Sequence, residues 1–182
     1  MGKDEKLVLL DSDVIIHLFR AERLSLLQEL YPDRIIILDV VYLELLQNPT
    51  INKQIENLLR FKQAKIYDFP TQNDEVMKEY IFLTQSQLKG KGESACMAVC
   101  RFDKNILASS NLRDIKPYCT QHNIQYLTTL DLLAIAFQRQ VISEADADQC
   151  IKDIKANGSR LPHYSSISAF ISKEFDKDKL KY

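Results

Sequence analysis

The sequence predicts an α/β protein: a three-layer α/β/α sandwich around a mostly parallel sheet of about five strands. Three observations carry this. Short apolar runs alternate with longer amphipathic stretches, the pattern of strand–helix–strand units. The runs Leu7-Val8-Leu9-Leu10 and Ile35-Ile36-Ile37-Leu38 are apolar at every position, as strands buried on both faces are. No repeat, low-complexity stretch or linker divides the 182 residues. One domain spanning 1–182 is therefore expected, with the helices from about residue 143 onward as an extension.

Taken in order, the first strand ends at Asp11, and Ser12 or Asp13 can cap a helix from Val14 to Phe19. Glu22 to Leu30 reads as a second short helix, broken by Tyr31-Pro32-Asp33. The second strand is Ile35–Leu38. Asp39 then caps a helix carrying Val40, Val41, Leu43, Leu45 and Leu46, which stops at Asn48-Pro49. Ile51 to Phe61 forms the next helix, and Ala64 to Phe69 a short third strand. Thr71 or Asn73 starts a long helix through about Leu88. Lys89-Gly90-Lys91-Gly92 breaks the chain. Glu93 opens a helix of small residues, Ala95, Cys96, Ala98, Val99 and Cys100, which can pack closely on a sheet. This helix is expected at the centre.

Asn105 to Ala108 is the fourth strand, followed by a short helix from Ile115 to His122 and a fifth strand over Ile124–Leu127. Thr129 or Asp131 caps the helix holding Leu132, Leu133, Ile135, Ala136 and Phe137. Ser143-Glu144-Ala145-Asp146 begins another that runs to Lys155, and Asn157-Gly158 supplies a left-handed end. Pro162 to Phe175 reads as a last helix, and Asp176 to Tyr182 as a charged, frayed tail.

A net charge of −1 argues against a surface that grips nucleic acid all over, yet allows a local basic rim. The apolar runs are too short for a membrane span. Met1-Gly2-Lys3-Asp4-Glu5-Lys6 fits neither a secretory signal nor a myristoylation site, so a cytoplasmic location is expected. The four cysteines form no CxxC pair and read as buried free thiols. His17, His122 and His163 lack ligand spacing, and no glycine-rich phosphate loop is present.

Chemistry in an open α/β sheet gathers outside the carboxyl ends of the strands. Asp11 ends the first strand there, with Asp13 behind it, and Ser109, Ser110 and Asn111 end the fourth. Glu44 lies between apolar neighbours after the second strand, Glu93 leads its helix, and Asp114 follows Asn111. Singly, each acid reads as a helix cap or a solvated charge. Together they point to one pocket of carboxylates. Such carboxylates raise each other's pKa, and a hard divalent cation relieves the repulsion.

These residues carry a resemblance. Leu9-Leu10-Asp11-Ser12-Asp13-Val14-Ile15-Ile16 resembles the opening motif of the PIN domain family. Val41-Tyr42-Leu43-Glu44-Leu45 is similar to its second motif, Gly92-Glu93-Ser94-Ala95-Cys96-Met97-Ala98 to its third, and Ile106-Leu107-Ala108-Ser109-Ser110-Asn111 to its fourth. The motifs stand in family order over roughly Leu7 to Tyr126. One departs: Asn111 stands where the family usually has aspartate. Asp114 either supplies the missing charge or caps the helix from Ile115.

The resemblance implies a ribonuclease that uses Mg²⁺ or Mn²⁺, with water attacking an RNA phosphodiester. Asp11, Glu44 and Glu93, helped by Asn111 or Asp114, would hold one or two ions, with Asp13, Ser109 and Ser110 in support. Lys89, Lys91 and Arg113 flank the site in sequence, each either a contact for RNA phosphates or a solvated charge. Many family members are toxins neutralised by a small antitoxin protein, so an antitoxin and a homodimer are among the expected partners. The departure at Asn111 motivates a second expectation, an inactive scaffold that binds RNA or a partner protein. A third, a receiver-type domain, would need a phosphoacceptor aspartate after the third strand, where Asp68 stands.

Overall fold

The computed structural model describes residues 6–85 and 90–182. The expected helix end near Leu88, the candidate Lys89 and the charged segment before Lys6 lie outside the described residues.

Five parallel strands form one sheet: β1 (Val8–Leu10), β2 (Ile35–Leu38), β3 (Lys65–Tyr67), β4 (Ile106–Ala108) and β5 (Tyr126–Leu127), in the order β3-β2-β1-β4-β5. Every residue of β1, β2 and β4 is buried. Successive strand residues face opposite sides, so both faces of the sheet are covered and three layers follow. The order reverses direction between β1 and β4, the place where open α/β sheets bind ligands. It also disposes of the receiver-type expectation: β3 and its Asp68 stand at the sheet edge, two strands from Asp11.

The helices are α1 (Ser12–Arg20), α2 (Ser25–Leu30), α3 (Asp39–Leu45), α4 (Pro49–Arg60), α5 (Asp74–Gln85), α6 (Lys91–Asp103), α7 (Leu112–His122), α8 (Thr129–Gln138), α9 (Glu144–Ala156) and α10 (Ile167–Lys173). The small-residue helix α6 is buried from Gly92 through Cys100 and packs on β1, β2 and β4. A helix apolar on all sides belongs in the interior. The four cysteines are free and buried. Among the described residues, no helix is long and apolar enough to cross a membrane.

Several boundaries differ from the sequence expectation, each for a local reason. Asp11, rather than Ser12 or Asp13, caps α1, its carboxylate accepting from Ser12 N at 2.8 Å. Pro49 does not merely stop one helix; it opens α4, where its missing N–H costs nothing and Asn48 caps. Leu38 holds the N-cap position of α3, and the Asp39 carboxylate accepts from Val40 N and reaches across to Phe69 N. Thr128, not Thr129 or Asp131, caps α8, and Asp131 closes the reciprocal half of a capping box. Helix α7 starts at Leu112, three residues before the expected Ile115.

The C-terminal segment is shorter in helix and better ordered than expected. Helix α10 covers only Ile167–Lys173 of the predicted Pro162–Phe175. Lys177–Lys181 then form a 3-10 turn that docks, with Lys179 buried. The tail is therefore not frayed.

Candidate functional site

The site begins with register. Leu10 pairs with Ala108, and Asp11 N continues the ladder to Ala108 O at 2.9 Å. Asp11 and Ser109 thus leave adjacent strands at the same level, on the carboxyl edge of the sheet. The Ser109 hydroxyl donates to Asp11 Oδ2 at 3.1 Å and lies 3.5 Å from Glu93 Oε1, which α6 brings in from behind. Asp11, Glu93 and Ser109 are all buried. One hydroxyl carries one proton, so it alone cannot satisfy both carboxylates.

Asn111 extends the chain of contacts. Its amide donates to Glu93 Oε2 at 3.4 Å and to Asp114 Oδ2 at 2.7 Å. An aspartate here would add a fourth charge to this edge; the asparagine instead ties two carboxylates together. Asp114 is the third residue of α7, not a cap for a helix from Ile115, and Asn111 holds it beside the pair.

Asp13 works one turn away. Its Oδ2 accepts from Ser110 N at 2.8 Å, which pins the β4 exit to the start of α1. Its Oδ1 is buried without a hydrogen-bond partner. Burial pushes the Asp13 carboxyl up to about 6, against the opposing pull of backbone N–H groups. Asp11 is raised well above the ordinary carboxylate range, chiefly by burial and then by the charges of Asp13 and Glu93.

Glu44 reaches this region by another route. Its Oε1 accepts from Gly92 N at 2.9 Å, so it satisfies a free N–H at the start of α6 that Gly90, the N-cap, cannot serve. The charges of Glu44, Asp11 and Glu93 all act on Cys96. The buried Cys96 thiol is pushed up by burial and by the charges of Asp11, Glu44 and Glu93. Gly92 is required by this packing: a Cβ there would stand 2.6 Å from Glu44 Oε2 and 3.0 Å from Val41 Cγ2. Gly92→Ala is therefore expected to break the Glu44 bond. The loss of a cap, about 0.5–2 kcal/mol, outweighs the small propensity gain near a helix end. Urea unfolding should show a net loss of about 1 kcal/mol; an alanine variant more stable than the parent would refute the role given to Glu44.

A neutral network that the sequence does not reveal supports the cluster from below. Ser110 Oγ meets Thr129 Oγ1 at 2.8 Å, and His17 Nδ1 meets the same oxygen at 2.8 Å. Burial, and then Arg20, lower His17 to about 4, so the ring is neutral near pH 7. The sign follows. Between its ordinary 6.5 and about 4, the unfolded chain binds the proton that the native ring refuses, so His17 costs stability as pH falls. Asp13 acts oppositely: its native form holds a proton up to about 6, so its contribution grows as pH falls through that value. In chelator, His17→Gln is expected to lose less stability than the parent between pH 6.5 and pH 4. Urea melts across that range measure the slopes, and equal slopes would refute the assignment.

Lys91 and Arg113 are exposed at the starts of α6 and α7, beside Glu93 and Asn111 in sequence. Among the described residues, no three His, Cys, Asp or Glu side chains stand close enough to form a ready metal cage. The donor set nonetheless fits a magnesium-like ion, which keeps most of its waters and binds through one or two carboxylates plus substrate oxygens. Asp11 and Glu93, buried and joined through the Ser109 hydroxyl, would supply that pair.

A search of curated proteins finds no match to the chain. A family model described as a PIN domain matches residues 7–173. The matched span runs from the residue before β1 to the last residue of α10, and so takes in the whole sheet and every acid described above. An all-parallel sheet with its buried carboxylates at the switch between β1 and β4 is a nuclease-type fold whose relatives usually use divalent metal ions, and on that match the chain belongs to the PIN domain family.

Proposed function

We propose that the protein is a metal-dependent endoribonuclease that hydrolyses RNA phosphodiester bonds with Mg²⁺ or Mn²⁺. The observation that carries this reading is the buried pair Asp11 and Glu93 sharing the single Ser109 hydroxyl at the sheet's switch point. Two buried carboxylates that face each other repel, and their burial is costly without a cation. Asp11 and Glu93 would hold the ion, with Glu44 and Asp114 on either side and the Asn111 carbonyl as a neutral donor. When bound, the ion lowers the pKa of water and offsets charge on phosphate oxygens.

The chain's own residues do the rest. Ser109 orients the two carboxylates. Asp13 fixes the Ser110 backbone, and with it the Asn111 amide. Lys91 and Arg113, exposed at the starts of α6 and α7, would meet the negative backbone of RNA. Cleavage of a panel of RNAs, assayed with Mg²⁺, with Mn²⁺ and with chelator, tests the reading; no cleavage of any RNA under either metal overturns it.

Asn111 favours a second reading, a PIN scaffold that binds RNA or a protein without cutting. Its amide offsets Glu93 and Asp114 by hydrogen bonds where the usual acid would demand a cation. Calorimetric titration separates the two, since the scaffold would take up no divalent ion at millimolar concentration. If the nuclease is a toxin, its partner is a small antitoxin protein. Growth arrest on expression, relieved by co-expressing the product of a short neighbouring reading frame, is the expected result.

A further inference from the structure

A cavity of about 230 Å³ opens beside the cluster, outside the carboxyl ends of β4 and β5. Ser110 and Leu112, the two neighbours of Asn111, line it, as do Leu130, Tyr164, Phe170 and the exposed Glu174. The volume is below the roughly 300–1,000 Å³ of pockets for drug-sized ligands, which suits one flat ring system and no more. The Tyr164 and Phe170 rings meet edge to face, with centroids 5.2 Å apart and planes at 72°. A flat ligand can therefore stack on one ring while meeting the edge of the other. The Glu174 carboxylate stands near the Tyr164 phenol, whose pKa is raised by burial and by that charge, and so places an acceptor in the lining.

We propose that this cavity receives the unstacked base of the nucleotide next to the scissile phosphate and favours guanine. The proposal rests on the nuclease reading and gives it a substrate preference. Single-stranded RNA is recognised by bases splayed onto aromatic side chains and read along their edges. Ser110 and Leu112 flank Asn111 in the chain, so a base seated there would bring its own phosphate toward Asn111. Glu174, when ionised, only accepts hydrogen bonds. Guanine alone presents two adjacent donors, N1–H and the N2 amino group, to one carboxylate. Adenine and cytosine offer an amino group beside an acceptor, and uracil a single N–H between two carbonyls.

The test separates this proposal from the function on which it rests. Binding of the 5′-monophosphates GMP, AMP, CMP and UMP is followed by amide NMR shifts in chelator, where no cleavage occurs. GMP is expected to bind about tenfold tighter than the others, with shifts around Ser110, Leu112 and Tyr164. Glu174→Gln, an exposed change that the fold tolerates, should erase most of the preference. Tyr164→Phe keeps the ring and should keep binding, whereas Tyr164→Ala should weaken it about tenfold. Equal binding of the four nucleotides, or GMP shifts remote from this cavity, overturns the proposal. Metal-dependent cleavage without regard to guanine would overturn it while the nuclease reading stands. Selective GMP binding without cleavage of any RNA would support the base site while removing the nuclease.

Discussion

Asp11→Asn is expected to lower metal-dependent RNA cleavage by at least about 100-fold, since even outer partners of metal ligands are worth 10–100-fold. The fold should survive. Asn caps a helix about as well as Asp, so the bond to Ser12 N that starts α1 can be kept. The chelated variant should be as stable as the parent or more so. Asp11 sits at 5% exposure and is opposed by Asp13 and Glu93, so an amide there removes a buried, repelled charge. Metal should then stabilise the variant far less than the parent, because stabilisation grows with the ratio of ligand concentration to Kd. Melting curves with chelator and with excess Mn²⁺ give both numbers. Equal metal-induced shifts in the two proteins would remove Asp11 from the site, whatever the cleavage assay shows.

The sequence makes this cluster legible because strand ends are legible. An apolar run that stops on a polar residue places that residue at the sheet edge: Leu7–Leu10 stops on the carboxylate of Asp11, and the shorter Ile106–Ala108 on Ser109-Ser110-Asn111. Glu93 is legible because the small residues behind it demand a central helix. Contacts between distant elements are not. His17 and Thr129 stand 112 residues apart, and neither sits in a pattern, so nothing local announces their bond. The link from Glu44 to Gly92 depends on how α3 packs against α6, which periodicity does not specify. Asn111 shows the limit in another way. Its departure from the family pattern is visible in the sequence, but its compensation, an amide that draws Asp114 toward Glu93, is a matter of geometry. The cavity beside Asn111 hides for the same reason: Ser110, Leu130 and Tyr164 come from three separate segments.

The C-terminal tail shows composition misleading outright. Asp176 to Tyr182 is charged and terminal, so solvation and fraying are the natural reading, yet Lys179 Nζ lies 2.7 Å from Asp131 Oδ2, with the two side chains only 11% and 4% exposed. The ammonium also stands 4.3 Å over the Tyr126 ring. Arg139 holds the same segment by donating to Leu180 O at 2.8 Å. Asp131 meanwhile accepts from both the backbone and the hydroxyl of Thr128, and so starts α8. Lys179→Met keeps the aliphatic bulk and removes the charge, leaving the Asp131 carboxylate buried with Thr128 as its remaining hydrogen-bond donor among the described residues. Breaking a buried pair from one side costs about 3–5 kcal/mol, far above the 0–1 kcal/mol of a surface pair. The variant is therefore expected to lose about 3 kcal/mol or more in urea unfolding. Adding Asp131→Asn should recover part of that loss, because the amide removes the stranded charge and can still accept from Thr128. A double-mutant cycle over the two positions should give a coupling above about 1 kcal/mol. A loss below about 1 kcal/mol, with no recovery, would return the tail to the solvated state that its composition suggests.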